Sequence, residues 1–344
     1  MTRTSSPAPV ATPPLADLHC DTIGLIQNGA DILSGTAEWS AGSGGPDAGP
    51  TGKPAARGHV DIPRMRAGGV ALQTFAAFVA PKVPPDQAFA TTVAKLETIE
   101  AICRKHHDHL QLIRDTSGAM HAASEGRIGV LLAVENGHAI EESLDRLSEL
   151  AERGVRILTI VHSKNTTWAA SCTDKNAPFD GLSPLGERIV DAMEEMDMLV
   201  DVSHCNEAAF WKVARRARKP FIASHSNAWE LCKFPRNLKD DQIRAVADAG
   251  GVIGINFCPD FLELLRDGRK VTSETVVRHI DYMVSLVGDE NVAFGSDFDG
   301  IPGTPEDVTG SDCYPVILDL LRQRGYSEET LRRLCWGNVM RVLG

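Results

Sequence analysis

The sequence predicts an α/β fold, a single (β/α)8 barrel, on three observations. Short apolar runs alternate with amphipathic stretches along most of the 344 residues. The runs are rich in Val, Ile and Leu on both faces, as parallel strands covered on both sides must be. No linker divides the chain, and 43% hydrophobic residues are enough for one large core. The competing arrangement is a doubly wound open sheet with a second lobe.

Residues 1–14, MTRTSSPAPVATPP, read as a disordered leader rich in Pro, Ser and Ala. The first apolar run is 15–21 (LADLHCD). Residues 34–58 form a long Gly/Pro-rich loop; its GSGG neither follows a strand nor opens a helix, so it is no dinucleotide loop. Further runs lie at 69–79 (GVALQTFAAFV), 129–135 (GVLLAVE), 154–161 (GVRILTIV), 199–204 (LVDVSH), 221–225 (FIASH), 251–257 (GVIGINF) and 292–298 (VAFGSDF), which makes eight. Helical patterns fall between them, among others at 86–104, 184–197, 206–218 and 273–287, and Pro184 and Ser273 suit helix starts. The barrel is therefore expected to occupy 15–344.

A net charge of -11 argues against nucleic acid or an anionic membrane as partner. The eight cysteines, at 20, 103, 172, 205, 232, 258, 313 and 335, include no C-x-x-C pair, which excludes a thiolate zinc knuckle. They are too sparse for a disulfide scaffold. The leader holds no apolar signal core, and no apolar run reaches the roughly 18 residues of a membrane span. A cytoplasmic protein with reduced thiols is expected.

A barrel of this kind carries its site at the C-terminal ends of the strands. In order, those ends offer His19 and Asp21, then Gln73 or Phe75, then Glu135, His162, His204, His225, Asn256 and Asp297. Four of the 11 histidines fall there, and the other seven lie in loops or helices. His19 and Asp21, two apart in a strand, point to one side, with Leu18 and Cys20 facing the other way. Singly, each group has a structural explanation: a satisfied core histidine, a helix-capping Glu135, a turn aspartate at 297. Jointly, independent caps have no reason to converge on one barrel mouth. Imidazole and carboxylate are ligands for a divalent cation. Five or six of them exceed one tetrahedral zinc and suit two ions sharing a carboxylate, about 3.5–4 Å apart. Iron or manganese fits the same donors.

The chain resembles the membrane (renal) dipeptidase family of the metal-dependent amidohydrolases. The resemblance rests on DLHCDT, the AVENGH glutamate, LTIVHSKNTTW, VDVSH, IASHSNA, PRNLKDD, GVIGINF, GSDFDG and NVMRV, in family order from about residue 15 to the C-terminus. It implies a TIM-type barrel of the amidohydrolase kind and two Zn2+ ions, with His19, Asp21 and Asp297 on the first, His204 and His225 on the second, and Glu135 bridging. It implies that His162 contacts the scissile group, that Arg236 holds the substrate's terminal carboxylate, and that Asn256 lines the substrate site. The implied reaction is hydrolysis of dipeptides, L,L and in some members L,D, by a metal-bridging hydroxide, with Asp297 moving the proton. Two departures bear on side-chain preference: Asn136 where many members carry Gly, and Cys258 where an aromatic residue is common. The family is often dimeric, so a homodimer is allowed, although no stretch of this sequence marks an interface. One rival is another amidohydrolase acting on an N-acyl amino acid, a lactone or a β-lactam. A second is a non-catalytic metal-binding scaffold, against which stands the presence of every expected group.

Overall fold

The structure, a computed structural model, describes residues 13–33, 58–264 and 270–344. Most of the leader (1–14) and of the loop (34–58) anticipated from the sequence lies outside these residues. In chain order the strands are β1 (Leu15–Cys20), β2 (Val70–Phe78), β3 (Leu110–Ile113), β4 (Ile128–Glu135), β5 (Val155–Thr159), β6 (Leu199–Asp201), β7 (Ile253–Ile255) and β8 (Val292–Phe294). All pairings are parallel. β1 lies between β2 and β8, β2 continues to β4, β4 to β5, β5 to β6, and β7 joins β8.

The ring closes through residues 221–225. That segment makes two parallel bridges, Asp201 with Ile222 and Ala223 with Ile253, instead of a full strand. The eight staves are therefore β1, β2, β4, β5, β6, the 221–225 segment, β7 and β8, matching the eight apolar runs. β3 is additional. It lies beside residues 128–131 of β4, on the edge that β5 occupies from 132 onward.

Each stave, or in the case of β7 the residue just before it, contributes to a buried inner cluster: Ala16 and Leu18, Leu72 and Ala76, Leu131 and Ala133, Ile157, Leu199, Ile222, Val252 and Ala293. Val339, Met340, Val342 and Leu343 of the helix Asn338–Leu343 join it and close the barrel floor. Burial of these side chains stabilises the barrel by about 1.5–3 kcal/mol for each large residue. Residues of opposite parity, such as Phe75, Val130, Leu158 and Phe294, pack outward in a second cluster with the helices. The helix Pro184–Glu195 is representative. Ser183 caps it by accepting the Gly186 N–H at 3.2 Å, Pro184 starts it, and Ile189, Val190 and Met193 are buried.

Two local expectations are corrected. Gln73 and Phe75 do not end the second strand; both are buried within β2, which runs on to Phe78. Leu18 and Cys20 do not share a face, since Leu18 belongs to the inner cluster and Cys20 to the outer one. The pairing of β1 with β2 shifts register between Asp17 and Cys20. Such a bulge reverses the alternation, so Leu18 can pack inside while His19, one residue later, still reaches the barrel mouth.

Candidate metal centre and substrate site

The structure brings the expected imidazoles and carboxylates into one cluster at the C-terminal mouth. His19 Nε2 lies 3.6 Å from Asp21 Oδ2, 3.7 Å from Glu135 Oε2 and 4.0 Å from Asp297 Oδ1. Glu135 Oε1 lies 3.0 Å from His204 Nε2, 3.6 Å from His225 Nε2 and 3.8 Å from His162 Nε2. Glu135 is thus central, one oxygen toward each half. Three groupings keep their donor atoms within 4.8 Å of one another: His19, Asp21 and Asp297; His19, Glu135 and His225; Glu135, His162 and His204.

The backbone is strained to make this arrangement. His204 (φ 70°) and Asp297 (φ 61°) adopt positive φ, as does Asn136 (φ 83°), which follows Glu135. Asn tolerates such a position better than most side chains. Its amide donates to the Val79 carbonyl at 2.8 Å and its oxygen accepts from the His138 N–H at 3.2 Å. Gly300 is needed at the rim: a Cβ there would lie 2.2 Å from Asp21 Oδ2 and 2.5 Å from Asp297 Oδ1.

Behind the cluster, hydrogen bonds aim the donors. Ser224 Oγ lies 2.6 Å from Asp201 Oδ2 and 2.7 Å from His225 Nδ1. The hydroxyl has a single proton, which goes to the carboxylate, so Oγ accepts from Nδ1–H. This assigns the His225 tautomer and leaves Nε2 with a lone pair toward Glu135 and His204. Asn256 Nδ2 donates to Asp297 Oδ2 at 2.8 Å, while its oxygen accepts from the Cys258 N–H at 2.6 Å. Ser296, preceding Asp297, is gripped by Asp17, which accepts from its N–H at 2.9 Å and its Oγ at 2.6 Å.

The electrostatics suit a cation. Burial, reinforced by the Asp21 charge, pushes the Glu135 carboxyl up to about 7. Burial pushes Asp297 up to about 6, with His19 opposing and Asp21 adding to the shift. For His19, burial disfavours the charged form, but Glu135 and Asp21 outweigh it and hold the ring well above its usual value. Burial, with Arg236 adding to it, lowers His162 to about 3 and drives His204 and His225 well below the ordinary histidine range. Three neutral imidazoles beside crowded carboxylates are the protonation state of metal ligands. Moreover, His19 Nε2, Asp21 Oδ1 and Glu135 Oε2 are buried without a hydrogen-bond partner. Orphaned atoms of this type are costly to bury, and a divalent cation would satisfy them. The donors therefore fit the metal that their chemistry implies.

Arg236 lies beside this cluster, 5% exposed. Its NH2 donates to the His225 carbonyl at 3.2 Å, its guanidinium sits 5.6 Å from the Phe261 ring centre, and its buried Nε has no partner. No carboxylate lies within ion-pair distance of it among the described residues. It borders a cavity of about 250 Å3, shared with His204, Ser226, Trp229 and Leu238, and the buried Ser226 Oγ is likewise unpartnered. Ser226 and the aiming residues Asp201 and Ser224 were not anticipated from the sequence. The signal was present in VDVSH and IASHSNA, where small polar residues flank each histidine.

A parallel barrel with imidazoles and carboxylates gathered at its strand ends defines a metallohydrolase of the amidohydrolase class. The chain belongs to the membrane dipeptidase family, peptidase family M19, whose family model matches residues 10–344. Among solved structures it is similar to dipeptidase AC, an M19 metallopeptidase, at 28% identity and a TM-score of 0.83, covering 97% of this chain and 98% of that one. It is similar to a metallopeptidase from Rhodobacter sphaeroides liganded with a phosphinate mimic of the dipeptide L-Ala-D-Ala, at 27% identity and a TM-score of 0.82, covering 97% and 99%. A curated relative, an uncharacterised protein in the pqqA 5′ region of Klebsiella pneumoniae, is 45% identical over 168 residues, 47% of this chain. The match covers 60% of that relative's length. Among the described residues no helix is long and apolar enough to cross a membrane, and all eight cysteines are free.

Proposed function

We propose that this protein is a binuclear zinc dipeptidase whose catalytic unit is the barrel of residues 15–344. The observation that carries the reading is the buried Arg236 guanidinium, unpaired beside the metal cluster. An isolated buried cation is expensive, and a free carboxylate is the natural partner of a guanidinium fork. A dipeptide brings one carboxylate within reach of its own scissile bond. Membership of the dipeptidase family supports the same reaction, and the dipeptide mimic held by the Rhodobacter relative supports the same class of ligand.

In this reading His19, Asp21 and Asp297 hold one ion, His204 and His225 the other, and Glu135 both. When bound, the two ions supply a polarised carbonyl and a water acidified toward neutral pH. The protein residues do the rest. Arg236 fixes the carboxylate and so sets the register of the peptide bond over the cluster. His162, kept neutral by burial and by Arg236, offers an N–H to the carbonyl oxygen as negative charge develops there. Asp297 accepts the proton of the attacking water and passes it to the leaving amine. Asn256, holding Asp297 Oδ2, aims the other oxygen, so it acts as a positioning residue more than as a substrate contact.

The deciding experiment measures free amino-acid release from L,L- and L,D-dipeptides, one tripeptide and one N-acyl amino acid. Release from dipeptides that is lost on chelation and restored by zinc supports the reading. Cleavage of the acyl amino acid alone would retain the metal chemistry and transfer the function to another amidohydrolase.

A further inference from the structure

A second cation stands across the mouth from Arg236. Lys95 projects from the helix Pro85–Lys105, half buried, with Nζ 5.9 Å from the centre of the Phe78 ring at the end of β2. Phe78 in turn packs on His162, ring centres 4.5 Å apart. Lys95 has no hydrogen-bond or ion-pair partner among the described residues. The charges whose fields reach it are those of Asp21 and Glu135, which partly offset the cost of burying it.

Lys95 is not needed as a counter-ion to the metal cluster. Asp21, Glu135 and Asp297 carry three negative charges, and two divalent cations carry four positive ones. The loaded centre is therefore not an anion that a lysine must neutralise. A long, flexible cation kept half buried beside such a centre, with only the Phe78 ring under it, lacks an anionic partner, and an anionic group of the substrate would be one.

The barrel order says which part of the substrate that is. The 221–225 segment, to which Arg236 is tied through the His225 carbonyl, and β2, which carries Phe78, are separated by three staves in either direction round the ring. They are diametrically opposed. A substrate whose terminal carboxylate lies on Arg236 and whose scissile bond lies over the cluster must extend its acyl half toward Lys95.

We infer that Lys95 selects substrates bearing a second carboxylate on the acyl side of the scissile bond, an N-terminal aspartate or glutamate being the peptide form. The inference rests on the reading of Arg236 as the anchor of the terminal carboxylate. It makes the site a receptor for a dianion, with one guanidinium and one ammonium at the two ends.

The test compares kcat/KM for Asp-Ala, Glu-Ala, Ala-Ala, Lys-Ala and N-succinyl-alanine in the zinc-loaded protein and in Lys95→Met, Lys95→Arg and Lys95→Glu. Wild type should favour Asp-Ala or Glu-Ala over Ala-Ala by about fivefold or more, the scale of one partly screened charge pair. Lys95→Met should bring that ratio to about one, Lys95→Arg should keep it, and Lys95→Glu should shift the preference to Lys-Ala. The same ratios should appear in the affinities of inert phosphinate mimics of Asp-Ala and Ala-Ala, a readout independent of turnover. N-succinyl-alanine separates the two carriers of the acyl-side carboxylate: cleavage in preference to Asp-Ala points to an acyl amino acid, the reverse to a peptide. An acidic preference that survives Lys95→Met, or no acidic preference in wild type, overturns the inference while leaving the dipeptidase reading intact. Failure to cleave any dipeptide overturns that reading instead, and with it the peptide form of the inference.

Discussion

The hydroxyl of Ser224 lies 2.7 Å from Nδ1 of the adjacent His225. Because Ser224 gives its own proton to Asp201, this contact fixes which nitrogen of His225 is free to coordinate. Ser224→Ala removes the contact, while Asp201 still accepts from the Thr159 hydroxyl and from the Ser203 and Ser224 N–H groups. Zinc affinity should fall by about 10- to 100-fold, the usual cost of losing an outer-shell partner. Competition against a chromophoric chelator reads this directly. An affinity equal to wild type would mean the tautomer is set by something else.

Asp297→Asn keeps the hydrogen bond to Asn256 but cannot accept the proton of the attacking water. Turnover should drop by about 10²- to 10⁴-fold, the range of general acid–base catalysis, with a smaller change in KM. Near wild-type kcat would remove Asp297 from its catalytic role.

Arg236→Met should raise KM for dipeptides with a free terminal carboxylate far more than for their C-terminal amides. The expected loss is about 2–5 kcal/mol of binding, as for truncating one side of a buried charge pair. Equal damage to free and amidated substrates would show that the guanidinium does not hold the carboxylate.

Gly300→Ala places a methyl group against Asp21 and Asp297. Metal affinity should fall while circular dichroism stays that of the wild type. Chelation of the wild type should lower Tm, and zinc at about 100 times its Kd should restore about 2.7 kcal/mol. A Tm indifferent to chelator would argue that the cluster does not bind metal tightly in the folded protein.

His279 provides a stability test away from the site. It is buried, its Nδ1 accepts the Ala228 N–H at 3.1 Å, and its Nε2 donates to the Leu262 carbonyl at 2.8 Å. Burial lowers its pKa to about 4, against 6.5 for an unperturbed histidine. Between those values the unfolded chain binds a proton that the folded chain does not. The contribution of His279 to stability is therefore full above pH 6.5 and is lost as pH drops toward 4, by up to about 3 kcal/mol. His279→Gln should flatten the dependence of unfolding free energy on pH in that window, as measured by urea titration. An unchanged slope would mean that His279 is not the group responsible.

The eight staves were legible in the sequence because strands covered on both faces leave continuous apolar runs. Their polar ends stood out because buried histidine and carboxylate are rare without a purpose. β3 escaped notice since LQLI is short and follows the six polar residues RKHHDH. The bulge in β1 was invisible because strict alternation already places His19 and Asp21 together, and nothing in DLHCDT shows that Leu18 has changed sides. The run 69–79 reached the end of β2, but AAFV is apolar throughout and does not show which residue faces the mouth, so Phe78 and the lysine above its ring went unseen. Lys95 looks like any polar position on an amphipathic helix until the strand beneath it is placed.

The closure of the ring also sets an order of events during synthesis. β1, near residue 15, finds one of its two neighbours only when β8, near residue 292, has been made, and the floor waits for residues 338–343. Until β8 is made, β1 has an open edge, and the cluster lacks Asp297. His19 and Asp21 leave the ribosome long before Asp297 does. Nascent chains of this protein should therefore depend on chaperones that shield strand edges, and they should complete a metal site only after Asp297 has emerged.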